Sequence, residues 1–136
     1  LAGKTVHTDL TCIPSCIYTT PPVAKVGLSE EEALAAGRVI ELGRFNLGSN
    51  GKSLIAGEER GYIKVIFEKD TEILLGVEMV AGQAPEIIGP LGTLIAMKAR
   101  RSDILKSVYP HPSVCEGFFE AVEDSMKQAI HVIYRN

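Results

Sequence analysis

Apolar and polar residues alternate along GYIKVIFE, where Ile63, Val65 and Phe67 share one face, and again along EILLGVEMV, where Ile73, Leu75, Val77 and Met79 do. Successive side chains of a strand point to opposite faces, so both runs predict strands, and KDTE between them predicts the turn of an antiparallel hairpin. VAKVGL and RVIELGRFNL alternate more loosely and predict two further strands. Between these two, SEEEALAAG reads as a short helix: Ser29 can cap it, Glu32 follows three residues later as in a capping box, and Gly37 supplies the stop. GSNGKSLIAGEERG reads as a glycine-rich connection without the spacing of a phosphate-binding loop.

From Gln83 to Arg101 the rhythm becomes helical, with Ile87, Ile88, Leu91, Leu94 and Ile95 at helix spacings. Pro90 either interrupts this helix at a cost of about 3 kcal/mol or marks its first turn, where the missing N–H costs nothing. Ser102 can cap a short helix running to Tyr109, and a last helix carries Cys115, Phe118, Phe119, Val122, Met126, Ala129 and Ile130 on its apolar side. Residues 1 to about 22 are polar, then proline-punctuated, and read as an extended arm; the division drawn is an arm or linker over 1–20 and one domain over 21–136. Strands grouped apart from a run of helices predict an α+β fold, an antiparallel sheet packed against several helices.

Composition supports a single globular domain: 136 residues, 46% hydrophobic and 23% charged. The net charge of −3 and the short cluster Lys98, Arg100 and Arg101, read as a solvated helix end, exclude a nucleic-acid groove. No apolar run approaches the ~18 residues of a membrane span, and LAGKTVHTDL lacks signal-peptide architecture, so a cytoplasmic location is expected. Three cysteines argue against a disulfide framework. Cys12 and Cys16 with His7 would make half a zinc site, but no second ligand pair follows, so no metal is expected and the two thiols read as small apolar fillers.

The stretch YPHPSVCEGFFEAVEDSM holds His111 between two prolines at the mouth of the last helix. Each proline fixes its own φ and restrains the residue before it, which leaves the backbone around His111 few conformations. HPSVCE admits two readings that can coexist. In one, Ser113 is an N-cap and Glu116 completes a capping box. In the other, the turn at Pro112 brings the Glu116 carboxylate to the His111 imidazole, fixes its tautomer and makes the ring a competent general base or acid. A Cys115 nucleophile activated by His111 is disfavoured, because on this helix Cys115 shares the core face with Phe118, Phe119 and Val122, and burial raises a thiol pKa.

HPSVCE resembles the His-Pro-Thr-x-x-Glu signature of the C-terminal dimerisation domain of flavoprotein disulfide reductases, the group that contains dihydrolipoamide dehydrogenase and glutathione reductase. IPSCIYTTPPVAKVGLSEEEA is similar to the opening segment of that domain, GYIKVIFEKDTEILLGVEMV to its central hairpin and APEIIGPLGTLIAMKARRSDIL to its following helices, in the same order from about Ile13 to Val122. Glu116 is followed by Gly117 rather than a second acid, and Val114 stands where the lipoamide class has an aliphatic residue, which favours the lipoamide branch. Ser113 and Cys115 replace the usual threonine and serine, and Pro22 and Pro110 depart from the pattern.

The resemblance implies a homodimer in which His111 and Glu116 form an acid/base pair serving the other subunit's flavin and redox disulfide, with His111 and Pro112 bordering the flavin. It implies FAD and NAD as cofactors of the complete enzyme, bound by domains not present among these residues, and a lipoyl-bearing protein or small disulfide as substrate. The chain alone is expected to be inactive and to bind neither cofactor. The alternatives are another reductase of the group with a different disulfide substrate, or a stand-alone dimerisation or scaffold module.

Overall fold

In the computed structural model, which describes Gly3 and residues 10–134, five strands form one antiparallel sheet in the order β1-β2-β5-β4-β3. They are β1 (Ser15–Ile17), β2 (Val23–Gly27), β3 (Ile40–Asn46), β4 (Tyr62–Glu68) and β5 (Leu74–Val80). Helix α1 (Glu30–Ala35) joins β2 to β3, α2 (Gly51–Ala56) joins β3 to β4, and α3 (Ala84–Ala96), α4 (Arg101–Ile104) and α5 (Cys115–Asp124) follow β5. This is the α+β arrangement that the grouping of strands and helices predicts. Among the described residues no helix is long and apolar enough to cross a membrane.

Register assigns the two faces of the sheet. Ala24, Met79, Ile63 and Phe45 lie side by side across four strands, and so do Val26, Val77, Val65 and Gly43. Except for the glycine, these side chains are buried in the core cluster together with Ile88 and Leu91 of α3 and Phe118, Ala121 and Val122 of α5. The intervening row is Lys25, Glu78, Lys64 and Arg44, and it belongs to the opposite face, where Lys64 also reaches Glu30 of α1 at 2.8 Å. Alternation of period two thus produces an apolar face for α3 and α5 and a charged face for α1.

The capping box expected at α1 forms: Glu32 N–H donates to Ser29 Oγ at 3.2 Å and Ser29 N–H to Glu32 Oε2 at 2.8 Å, and Gly37 turns out of the helix at φ 72°. Other local expectations are corrected. In β5, Leu74 and not Ile73 or Leu75 joins the buried set, because the pairing slips between Ile66 and Phe67: Ile66 faces Gly76 while Phe67 faces Leu74. Leu75 is the extra residue of this β-bulge, and its carbonyl accepts from Leu28 N–H at 2.9 Å instead. The glycine-rich connection contains α2, capped by the Asn50 side chain and ended by Gly57 in the left-handed region.

Pro90 lies inside α3 rather than at its start, on the exposed side, where the Glu86 carbonyl left without a helical donor can be hydrated. Ser102 does not cap α4; the helix begins at Arg101, and Asp103 Oδ2 accepts from Arg100 N–H at 3.4 Å. Arg101 is not a solvated helix end but a buried cation, with Nη2 2.6 Å from Glu41 Oε2 and its guanidinium 4.8 Å from the Phe67 ring centroid. Pairing and an aromatic face offset the loss of water around it. Within the segment expected to be an extended arm, Ser15–Ile17 pair with β2 and Cys16 packs partly against the core, while His7 lies outside the described residues.

Candidate functional site

The site is built where the chain returns from α4 to the sheet. Tyr109 enters between two phenylalanines of α5, at 6.3 Å and 63° to the Phe118 ring and 5.5 Å from the Phe119 ring. That contact anchors the chain just before Pro110, and the peptide between His111 and Pro112 is cis. Val114 then drops into the core and α5 begins at Cys115. Gly117 lets the first turn of α5 settle on the sheet: a Cβ there would lie 3.1–3.2 Å from Ile63, Leu47 and Phe45 side-chain atoms.

His111 and Glu116 are brought together as the turn requires. His111 Nδ1 lies 2.8 Å from Glu116 Oε1, and Ser113 N–H donates to Glu116 Oε2 at 2.7 Å. Burial alone would raise the Glu116 carboxyl, but the Ser113 N–H, the His111 ring beside it and the more distant His131 outweigh that and hold it below the ordinary 4.5. An ionised carboxylate only accepts, so Nδ1 carries the proton it donates and Nε2 is the ring nitrogen left to act. The His111 side chain is 80% exposed, so Nε2 is reachable from outside the domain.

The capping-box reading is half realised. Glu116 reaches back to Ser113 N–H, but the residue at the helix mouth is Val114, in helical conformation, and Ser113 Oγ is buried without a hydrogen-bond partner among the described residues. Cys115 lines an apolar groove with Ile87, Leu91, Leu94, Tyr109 and Phe118, and burial pushes its thiol up, which keeps it protonated and unreactive near neutral pH. Phe118 and Val122 face the core as expected, but Cys115 and Phe119 are only half-buried, α5 ends at Asp124, and Ile130 beyond it is exposed.

Two features were not read from the sequence. His131 repeats the first pair one turn along α5: Nδ1 lies 2.7 Å from Glu120 Oε1 and His131 N–H donates to Glu120 Oε2 at 3.1 Å. Glu120 does follow Glu116 by one helical turn, but nothing local ties it to His131. Asn50, from the glycine-rich connection, is buried and donates from Nδ2 to the Ser113 carbonyl at 2.9 Å. Its place before Gly51, with Gly57 at the far end, was a readable helix-capping signal. Its contact with Ser113 was not.

Glu116 makes the loop sensitive to acid. With its folded pKa lowered, it contributes stability that is present above the unfolded value and lost as pH falls through the folded one. Glu116→Gln is therefore expected to be less stable than wild type at neutral pH, with the gap closing as pH falls below the ordinary carboxylate value and through the lower folded one. Urea unfolding at a series of pH values measures this, and a gap that stays constant with pH would contradict it.

Comparison with known proteins places this geometry in context. The family model described as the pyridine nucleotide-disulphide oxidoreductase dimerisation domain matches residues 13–122. The dihydrolipoyl dehydrogenase of Thermus scotoductus is 42% identical over 134 residues, covering 98% of this chain and 29% of that protein. The dihydrolipoyl dehydrogenase of Rhizobium etli is 39% identical over 127 residues, covering 93% of this chain and 26% of that protein. The chain thus spans under a third of the length of these curated relatives. Among solved structures, the HOCl-induced flavoprotein disulfide reductase of Escherichia coli superposes with TM-score 0.82 at 22% identity, over 90% of this chain and 29% of that one. LpdA of Mycobacterium tuberculosis does so with TM-score 0.81 at 19% identity, over 88% of this chain and 26% of that one. At these identities the structures bear on the fold alone.

Proposed function

The chain belongs to the pyridine nucleotide-disulphide oxidoreductase dimerisation-domain family, and from that premise we propose that it completes the active site of a dihydrolipoyl dehydrogenase-like homodimer. In this reading His111 is the general base that serves the disulfide of the partner subunit, and Glu116 is the group that holds it. The observation that carries the reading is the exposed imidazole pinned through Nδ1 to the Glu116 carboxylate at 2.8 Å. Such a ring presents a lone pair at Nε2 in one tautomer and one orientation. Unpartnered apolar side chains near it, among them Val108 at 96% exposure, suit an interface with a second copy.

The proposed step starts from a dihydrolipoyl thiol at the partner's redox disulfide. The S–H proton passes to His111 Nε2, and the resulting thiolate attacks one disulfide sulfur, forming a mixed disulfide as the original S–S bond breaks and the other sulfur leaves as thiolate. The His111 imidazolium hands its proton to the thiolate that left and, restored as a base, takes the proton of the second lipoyl thiol, whose sulfur then attacks the mixed disulfide, closes the lipoyl ring and releases the other cysteine sulfur as thiolate. Glu116 stabilises the imidazolium formed in the first transfer, in the manner of the aspartate in a hydrolase triad. FAD, where bound, supplies the two-electron chemistry that links the reduced pair to NAD.

The residues present fit such a flavin as a border and not as a binding loop. His111 and Pro112 are exposed and stand at the end of the turn, where they would border the flavin. The glycine-rich segment lacks the spacing of a phosphate-binding loop, and the Asn50 side chain accepts from Ser53 N–H at the start of α2.

The test is subunit complementation in the full-length enzyme. A His111→Gln subunit is combined with one whose redox cysteines are replaced, each inactive as its own homodimer. One site of the heterodimer then joins an intact histidine to an intact disulfide, so activity is expected to return to about half the wild-type turnover per dimer. Heterodimers that form and stay inactive would refute the cross-subunit arrangement.

A further inference from the structure

The His111 ring makes a hydrogen bond only to Glu116 among the described residues, so its place depends on how firmly the backbone after Pro112 is held. Both peptide groups of Ser113 are gripped. Its N–H donates to Glu116 Oε2 at 2.7 Å, and its carbonyl accepts from Asn50 Nδ2 at 2.9 Å, across 63 residues of chain. Asn50 is only 4% exposed. Its Oδ1 accepts from Ser53 N–H at 2.9 Å and from Ser53 Oγ at 3.0 Å. Because a backbone N–H can only donate, the atom facing Ser53 must be oxygen and the amide group facing the Ser113 carbonyl must be the donor. The amide is thus locked in one orientation by the helix it caps.

Two anchors therefore fix the turn from different directions. Glu116 ties it to α5, and Asn50 ties it to α2 and, through the preceding strand, to the sheet. We propose that Asn50 is a positioning residue for the general base: its side-chain amide clamps the Ser113 carbonyl and thereby sets where His111 Nε2 stands relative to the dithiol substrate. The inference rests on the role of His111 given above. A base displaced by about 1 Å loses on the order of 10²-fold in rate, since proton transfer needs a near-attack geometry. A buried clamp two residues from His111 governs a displacement of that size.

The chemistry of asparagine separates capping from clamping. Aspartate and serine are both good N-caps and keep an oxygen for Ser53 N–H, so α2 survives in either variant. Asn50→Asp sets an acceptor against the Ser113 carbonyl, and Asn50→Ser is too short to reach it. In the full-length enzyme, each is expected to lower kcat per bound flavin at least about tenfold, with KM for dihydrolipoamide changed less than about threefold. Placed in the His111→Gln background, the same substitutions are expected to cost no more than about twofold further, because the group they position is already gone. Amide exchange should quicken over residues 110–116 in Asn50→Ser while residues 51–57 of α2 stay protected.

Wild-type-like turnover by both variants, or losses that multiply in full on top of His111→Gln, would overturn the proposal. So would a failure of both variants to dimerise and retain flavin, which would mark Asn50 as a residue of the fold. Near-normal turnover by His111→Gln itself would remove the reading on which the proposal stands. A large His111→Gln loss with no Asn50 effect would remove the clamp alone.

Discussion

His111→Gln in the full-length enzyme is expected to lower dihydrolipoamide turnover by about 10²–10⁴-fold, the usual cost of losing a general base. Glutamine keeps polarity and much of the reach of the ring but offers no nitrogen that can take a proton at neutral pH. The ring is mostly exposed and glutamine can still donate to the Glu116 carboxylate it faces, so the domain is expected to unfold at nearly the same urea concentration as wild type. Steady-state rates per bound flavin, measured with the unfolding midpoint, separate chemistry from folding. Glu116→Gln is expected to cost less, since a side-chain oxygen remains for Ser113 N–H while the charge facing the imidazolium is lost. His111→Gln turnover within about threefold of wild type would leave the turn with only its capping role.

Gly43→Ala is expected to destabilise the domain by about 3 kcal/mol, at the upper end of overpacking costs. Gly43 belongs to the core-facing row with Val26, Val77 and Val65, at the point where α5 crosses β3. A Cβ there would sit 1.9 Å from the Ala121 carbonyl oxygen and 2.7 Å from Ser125 N, both backbone atoms of α5 or its end. No rotamer change relieves a backbone contact, so the helix itself must lift, and with it the Phe118 and Val122 side chains from the core. Gly51→Ala is the control: its Cβ would meet nothing within 4 Å, and the expected change is within about 0.5 kcal/mol. Urea unfolding of both variants measures the difference. Equal midpoints would mean that α5 does not bear on β3 at this position.

These two effects differ in where their causes were visible. His111 and Glu116 stand five residues apart, and the prolines between and before them restrict the backbone enough that a turn pairing them is readable from local chemistry. The demand on Gly43 is not readable, because it is made by Ala121, 78 residues away. The same division runs through the fold. The hairpin of β4 and β5 and the Ser29–Glu32 box were legible because alternation and capping are properties of adjacent residues. The bulge that exchanges Leu75 for Leu74 was not, since it answers to the Leu28 N–H of another segment. Arg101 looked solvated in a run of cations until Glu41 and Phe67 were brought to it.

The sequence by itself determined the strand and helix periods, the α+β grouping and the family signature, and it offered the pairing of His111 with Glu116 as one of two readings of a short stiff turn. The periods, the signature motif and the turn depend on residues within a few positions of one another, where covalent geometry and side-chain reach leave few choices, and the grouping follows from the order of the elements along the chain. Only the tertiary structure decided that Asn50 holds the Ser113 carbonyl, that His131 pairs with Glu120, and that Arg101 meets Glu41. Those contacts join segments whose distance along the chain carries no signal. They form because burial obliges each polar group to find whichever partner the packed sheet and helices bring within hydrogen-bond reach.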